Sequence, residues 1–97
     1  MHDRSYPEAA GPERVAQLAE AVRRRRVALG LRQADLAELG GCSQRFVHSV
    51  EQGKSTLRLD KLLDVLEVLG LGLLVVPGRG EIDAALTKRA GGAHEDS

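Results

Sequence analysis

Residues 33–53, QADLAELGGCSQRFVHSVEQG, constrain the fold more than any other part of the chain. They read as two short helices with a tight break between them. Residues 33–39 carry apolar side chains at Leu36, Ala37 and Leu39, the partial face of a two-turn helix. Gly40 and Gly41 stop that helix, since glycine reaches φ > 0 without steric cost. Ser43 then suits an N-cap, its hydroxyl accepting from a free amide of the next turn. A second helix follows over 44–52, and Gly53 is placed to end it.

At about 100° per residue the second helix separates into two faces. Val47 and Val50 mark its inner side, with Phe46 on a border, where it seals the core edge. Arg45, His48, Ser49 and Gln52 share the outer side, and Gln44 lies at the exposed N-terminal end. A polar, far-reaching helix held by a short partner across a glycine-bearing turn is a helix-turn-helix, which enters the DNA major groove. Gln33, Leu36, Ala37, Gly41, Ser43, Val47, Val50, Glu51 and Gly53 together resemble the ungapped pattern of the phage-repressor/Cro (XRE) family. Arg26 and Gly30 extend the resemblance upstream and 59–71 downstream, so that it covers roughly 15–76. There are two departures. Arg32 stands where the family has Thr or Ser, and Cys42 takes a turn position that is usually aliphatic, one a small thiol fills.

Composition narrows the classes. Ninety-seven residues make one small domain, and with two aromatics and no Trp its core is built from Leu, Val and Ala. One cysteine forms no internal disulfide, which suits a reducing cytoplasm, nucleoid-associated when the chain is on DNA. Residues 1–11 hold charges, a proline and no apolar run, unlike a signal peptide, and the apolar run 69–76 is too short to span a bilayer. The net charge is zero, but its distribution is not even. From Arg14 to Arg58 nine basic residues face four acids, an excess of +5 balanced by −5 elsewhere. Positive charge is thus concentrated around the helix-turn-helix, as phosphate neutralisation requires.

Before that motif, Pro12 suits a first helical turn and Glu13 its positive end. The helix is expected to run to about Leu29 with Val15, Leu18, Ala19, Val22 and Leu29 inward, and Arg23 and Arg24 outward. Arg26 falls within the inner face and needs an acidic partner, for which Glu51 is the candidate. In the resembling family the matching residues form an internal ion pair. The resemblance also implies that Gln33 holds a phosphate and that Gln44, Arg45 and Ser49 read bases, with Ser43 at the same interface. Gln pairs bidentately with adenine and Arg with guanine, so the chemistry agrees. His48 reads equally as a DNA contact and as a solvated histidine. Lys54 and Ser55 are placed to hold a phosphate, and Thr56 to cap a last helix with a core stripe of Leu59, Leu62, Leu63, Leu66 and Leu69.

Residues 71–76, LGLLVV, bounded by Gly70 and by Pro77-Gly78, read as a strand. No other segment reads as one, so its natural partner is the same strand of a second copy, through Leu71, Leu73, Leu74, Val75 and Val76; the alternative is an apolar cap folded back onto its own helices. Residues 81–90 form at most a weak amphipathic helix through Ile82, Ala85, Leu86 and Arg89. The expectation is a mainly α chain: a four-to-five-helix, lambda-repressor-like DNA-binding domain with a short C-terminal β-strand pairing across a dimer. Its parts are a flexible tail over 1–11, the helix-turn-helix domain over 12–76 and a flexible tail over 77–97.

Enzymatic chemistry finds no support. His2, His48 and His94 and the lone Cys42 lack metal-ligand spacing, no glycine loop cradles a phosphate after a strand, and no cofactor is implied. The finer resemblance is to HipB-type antitoxins, carried by RFVHSVEQGK, TLRLDKLLDVLEVLGL and the strand that follows. It implies a homodimer on a near-palindromic double-stranded operator, repressing its own operon and holding a HipA-type kinase toxin, with no membrane partner. A stand-alone XRE regulator of other genes is the alternative, and a protein-interaction adaptor the third; Gln33, Gln44 and Arg45 speak against the adaptor.

Overall fold

A computed structural model of the chain describes residues 10–83. Four helices lie within that range: α1 (Ala10–Ala28), α2 (Gln33–Gly40), α3 (Gln44–Glu51) and α4 (Leu59–Leu69). Residues 1–9 and 84–97, most of both expected tails and of the weak helix over 81–90, lie outside the described residues.

α2 packs on α3 and α4, while α1 crosses behind and meets α3 and α4. The core between them is aliphatic: Val22 from α1, Leu36 and Ala37 from α2, Val47 and Val50 from α3, and Leu62, Val65, Leu66 and Leu69 from α4. Ala19 is buried on the face of α1 that carries Val22. Leu18, Leu31, Cys42, Phe46, Leu57, Val68 and Leu71 close its edges. Burial pushes the Cys42 thiol up, so it behaves as a small hydrophobe.

The ends of the helices set their angles. Gly41 alone takes the left-handed conformation after α2, at φ 69°, and Gly40 is the last helical residue. The turn needs only Ser43 to begin α3, and the Ser43 Oγ accepts from the Phe46 amide at 3.0 Å. At the head of α2, Arg32 has no acceptor to offer, and the cap runs in reverse. The Asp35 carboxylate accepts the Arg32 backbone amide at 2.9 Å and holds the guanidinium at 3.1 and 2.9 Å. Hydrogen bonds from the Arg32 side chain and amide bring the Asp35 carboxyl down to about 2.

Several expectations change. Thr56 caps nothing: α4 starts at Leu59 with Arg58 as its N-cap, and Asp60 ties that turn to Arg58. Leu59 and Leu63 are 60% and 43% exposed, because the buried set is Leu62, Val65, Leu66 and Leu69. Leu63 projects about 110° from the centre of that face. Leu29, 44% exposed, falls in the turn after α1 has ended and so leaves the helical register. Leu39, 62% exposed, likewise sits about 110° from the middle of the Leu36–Ala37 face. Residues 71–76 form no strand ladder with any described segment. Leu71 is half-buried, whereas Leu73, Leu74, Val75 and Val76 are exposed.

Candidate nucleic-acid interface

The core side of α3 is fixed by Val47 and Val50, both buried, and by Phe46 at the border. The opposite face is therefore turned outward: Gln44, Arg45, His48 and Gln52 are exposed, and Ser49 is half-buried beside them. Ser43 stands exposed at the head of the same helix, its Oγ engaged by the Phe46 amide and its hydroxyl hydrogen still able to donate. Lys54 and Ser55 are exposed in the link just beyond.

The far end of α3 is anchored from beneath. Arg26 donates from Nε and Nη2 to both oxygens of Glu51, at 2.6 and 2.9 Å, and from Nη1 to the Leu31 carbonyl at 2.9 Å. Gln33 donates from Nε2 to the same carboxylate at 3.1 Å. The Glu51 side chain is 3% exposed and that of Arg26 14%. Burial pushes the Glu51 carboxyl up, but the hydrogen bonds from Arg26 and Gln33 and the Arg26 charge outweigh it, leaving the group below its ordinary value. One carboxylate thus joins α1, the head of α2 and the end of α3, and Arg26 adds the α1–α2 turn through Leu31. Gln33, named from sequence for a phosphate, is half-buried with its amide directed at Glu51, and its carbonyl oxygen is unbound among the described residues.

Most of the positive charge around this motif is already matched. Arg23 and Arg24 pair with Glu20, Arg32 with Asp35 and Arg58 with Asp60, all at the surface. Arg14 and Arg25 donate to the carbonyls of Gly80 and Leu69. Among the described residues, Arg45 and Lys54 are the two cations of the 14–58 stretch with neither an acidic nor a hydrogen-bonding partner. Both lie on or beside the outer face of α3. Exposed ion pairs cost little to rearrange, so the paired arginines still contribute to the field. The described residues hold no cluster of His, Cys, Asp or Glu able to hold a metal, and no helix long and apolar enough to cross a membrane.

Sequence reasoning gave Arg25 no role, yet it bonds the end of α4. It also missed Val65, whose spacing with Leu62, Leu66 and Leu69 marks it as core.

This geometry has close parallels. A family model described as helix-turn-helix matches residues 22–76. An uncharacterized HTH-type transcriptional regulator, y4mF, of Sinorhizobium fredii (strain NBRC 101917 / NGR234) is 41% identical over 49 residues. That match takes in 50% of this chain and 64% of the relative, so the chain spans under two thirds of the relative's length. Among solved structures, a toxin–antitoxin module from Streptococcus pneumoniae superimposes with a TM-score of 0.64 at 28% identity. The superposition covers 78% of this chain and 86% of that one.

Proposed function

The chain belongs to the XRE-type helix-turn-helix family, and from that premise we propose that it is a sequence-specific DNA-binding repressor that works as a homodimer. The observation that carries this reading is the outer face of α3. It sets Gln44, Arg45, His48, Ser49 and Gln52 side by side, with Arg45 and Lys54 unneutralised among the described residues. Arg45 suits a guanine O6/N7 edge and Gln44 an adenine N6/N7 edge. Lys54 and Ser55, one turn-length beyond, suit the phosphates that flank such a contact. Gln33 holds the Glu51 carboxylate with its amide, and a DNA phosphate would have to share or take over that donor.

The finer reading is an antitoxin of the HipA/HipB type that represses its own operon and binds a kinase toxin. Its support is the resemblance of 45–54 and of 56–71 to such antitoxins, and the likeness to a solved toxin–antitoxin module. A stand-alone regulator of other genes is the second reading, favoured by the Sinorhizobium relative's description as a transcriptional regulator.

Two measurements test these readings. Selection from a random duplex pool with the purified chain is expected to yield a near-palindromic site; a pool that stays unenriched would remove the repressor reading. Purification from the native host is expected to bring down a kinase-sized companion encoded beside this chain. Recovery of the chain alone, with binding sites upstream of unrelated genes, would favour the stand-alone regulator.

A further inference from the structure

We propose that Arg25 fixes the root of the dimer strand against the DNA-reading helix, and thereby sets the half-site spacing that the dimer accepts. The inference rests on the dimeric reading of 71–76 above. Arg25 and Arg26 are neighbours on α1 but tie it to different places. Arg26 grips Glu51 at the end of α3, at 2.6 and 2.9 Å. Arg25 places its Nε on the Leu69 carbonyl at 2.8 Å, a contact between residues 44 apart in sequence.

Leu69 is the last residue of α4, and its carbonyl is one of those that a helix leaves without an internal partner. Two others of that turn are taken by the C-cap: Leu66 accepts from the Leu71 amide at 2.9 Å, and Glu67 from the Gly70 amide at 3.0 Å. Arg25 supplies the donor for Leu69, and its positive charge suits the negative end of α4. The fit is close, since a Cβ on Gly70 would stand 3.4 Å from the Arg25 Nη2. Immediately beyond, the chain turns through Gly70 at φ 73° into 71–76. Leu69 itself is buried in the core, the two backbone bonds of the cap and the half-buried Leu71 hold the turn beyond it, and Arg25 adds the side-chain tie from α1.

α1 therefore carries, on consecutive residues, one tie to the reader and one to the root of the dimer element. A hydrogen-bonded helix does not stretch between them, so the angle from ribbon to recognition helix is fixed in each protomer. Adding one base pair between half-sites turns the second by about 35° and moves it by about 3.4 Å. A dimer with a rigid root accepts one spacing, and a loosened one accepts several.

The test uses the full chain on the operator selected by the wild type. That site is rebuilt with half-site separations shortened by one base pair or lengthened by one or two, alongside a duplex bearing one half-site. The wild type is expected to lose about tenfold in affinity for each step off its optimum, the size of a mismatched contact. Arg25→Ala is expected to flatten the profile to within about threefold, while staying dimeric in sedimentation and keeping the affinity for the single half-site. Arg25→Met keeps the stem and removes the donor, so it is expected to behave as Arg25→Ala does and serves if the alanine variant melts without cooperativity. Arg25→Lys, whose ammonium can donate to the same carbonyl, is expected to restore the optimum. A folded, dimeric Arg25→Ala or Arg25→Met protein with the wild-type profile would overturn the proposal. A wild type indifferent to spacing would overturn the dimeric reading, and this inference with it.

Discussion

Arg45 and Lys54 carry the same charge, stand near the same surface and are given different tasks. A side chain reading a base edge loses affinity at one operator position, whereas a phosphate contact loses it at all positions alike. Arg45→Ala is expected to relax preference at one base pair by about 1–3 kcal/mol. Lys54→Ala is expected to weaken every sequence equally and to flatten the dependence on salt by about one counterion. Affinities across single-base operator variants at two salt concentrations check both, and interchangeable profiles would reject the assignment. Beneath them lies the pair most legible in the sequence. An arginine on the inner face of α1 demanded an acid, and Glu51 was the acid facing inward. The structure has the two at 2.6 Å, with Gln33 on the same carboxylate. Removing one partner of a deeply buried pair costs about 3–5 kcal/mol, so Glu51→Gln is expected to lower the urea midpoint markedly. Glu38→Gln on the exposed side of α2 should change the stability by less than about 0.5 kcal/mol and leave the midpoint nearly in place. The folded carboxyl lies below its ordinary 4.5, so its contribution is present above that value and is lost as the pH falls through the folded one. Acid titration should therefore unfold the wild type more steeply below about 4.5 than Glu51→Gln. Arg25 was not legible because helical periodicity places a residue on a face but does not show which distant carbonyl that face meets.

The same boundary between local and tertiary information appears in the elements. Ser43 and Gly41 are chosen by local chemistry, a hydroxyl for an amide and a backbone at φ 69°, and both positions were readable from the sequence. Ser43→Ala removes the cap of an eight-residue helix and is expected to cost about 1 kcal/mol. Gly41→Ala meets no atom within 4 Å, so its cost is backbone strain alone, about 1–2 kcal/mol. Thermal melts of the two variants check these values, and the serine variant should also bind its operator more weakly, since α3 then frays at its reading end. An unchanged melting point for Ser43→Ala would show that packing of Val47 and Val50 alone holds α3. α4 is less legible. Its leucines form a stripe in the sequence, but a helix buries an arc, and the arc takes in Val65 and leaves out Leu59 and Leu63. Thr56 was the better capping residue by type. Yet the helix began three residues later, where the Arg58–Asp60 contact closes its first turn.

At the scale of the whole molecule the open question is what covers 71–76. Val75 is 95% exposed, Leu74 61%, Leu73 53% and Val76 43%, and among the described residues 73–76 lie in no helix and no strand ladder. Exposed edges that are also apolar promote association, and soluble proteins seldom leave them uncovered. Leu71, Leu73 and, further on, Ile82 line a hollow with Leu18 and Leu66, while Leu74, Val75 and Val76 keep much of their surface exposed among the described residues. A second copy satisfies both requirements at once: an antiparallel ribbon pairs the backbone, buries the leucines and valines, and creates a two-fold axis. The same axis would bring two α3 helices to one side, spaced for half-sites about 34 Å apart. Affinity for the full site would then depend on dimerisation, since each domain alone offers one short reading helix. Leu74→Pro removes a ladder donor in the middle of this segment without touching the helical core, and truncation after Gly70 removes the segment altogether. Leu74→Pro is expected to give a monomer with the helical circular dichroism of α1–α4. The truncation is expected to give a monomer or a poorly folded chain, because it also removes Leu71 from the core edge. Both are expected to show at least about a hundredfold weaker operator binding, the loss that accompanies giving up a linked second site. Sedimentation at micromolar concentration and binding to full and half operators decide the matter. A wild type that sediments as a monomer yet binds one half-site tightly would rule the ribbon out and require 71–76 to find its cover on another protein.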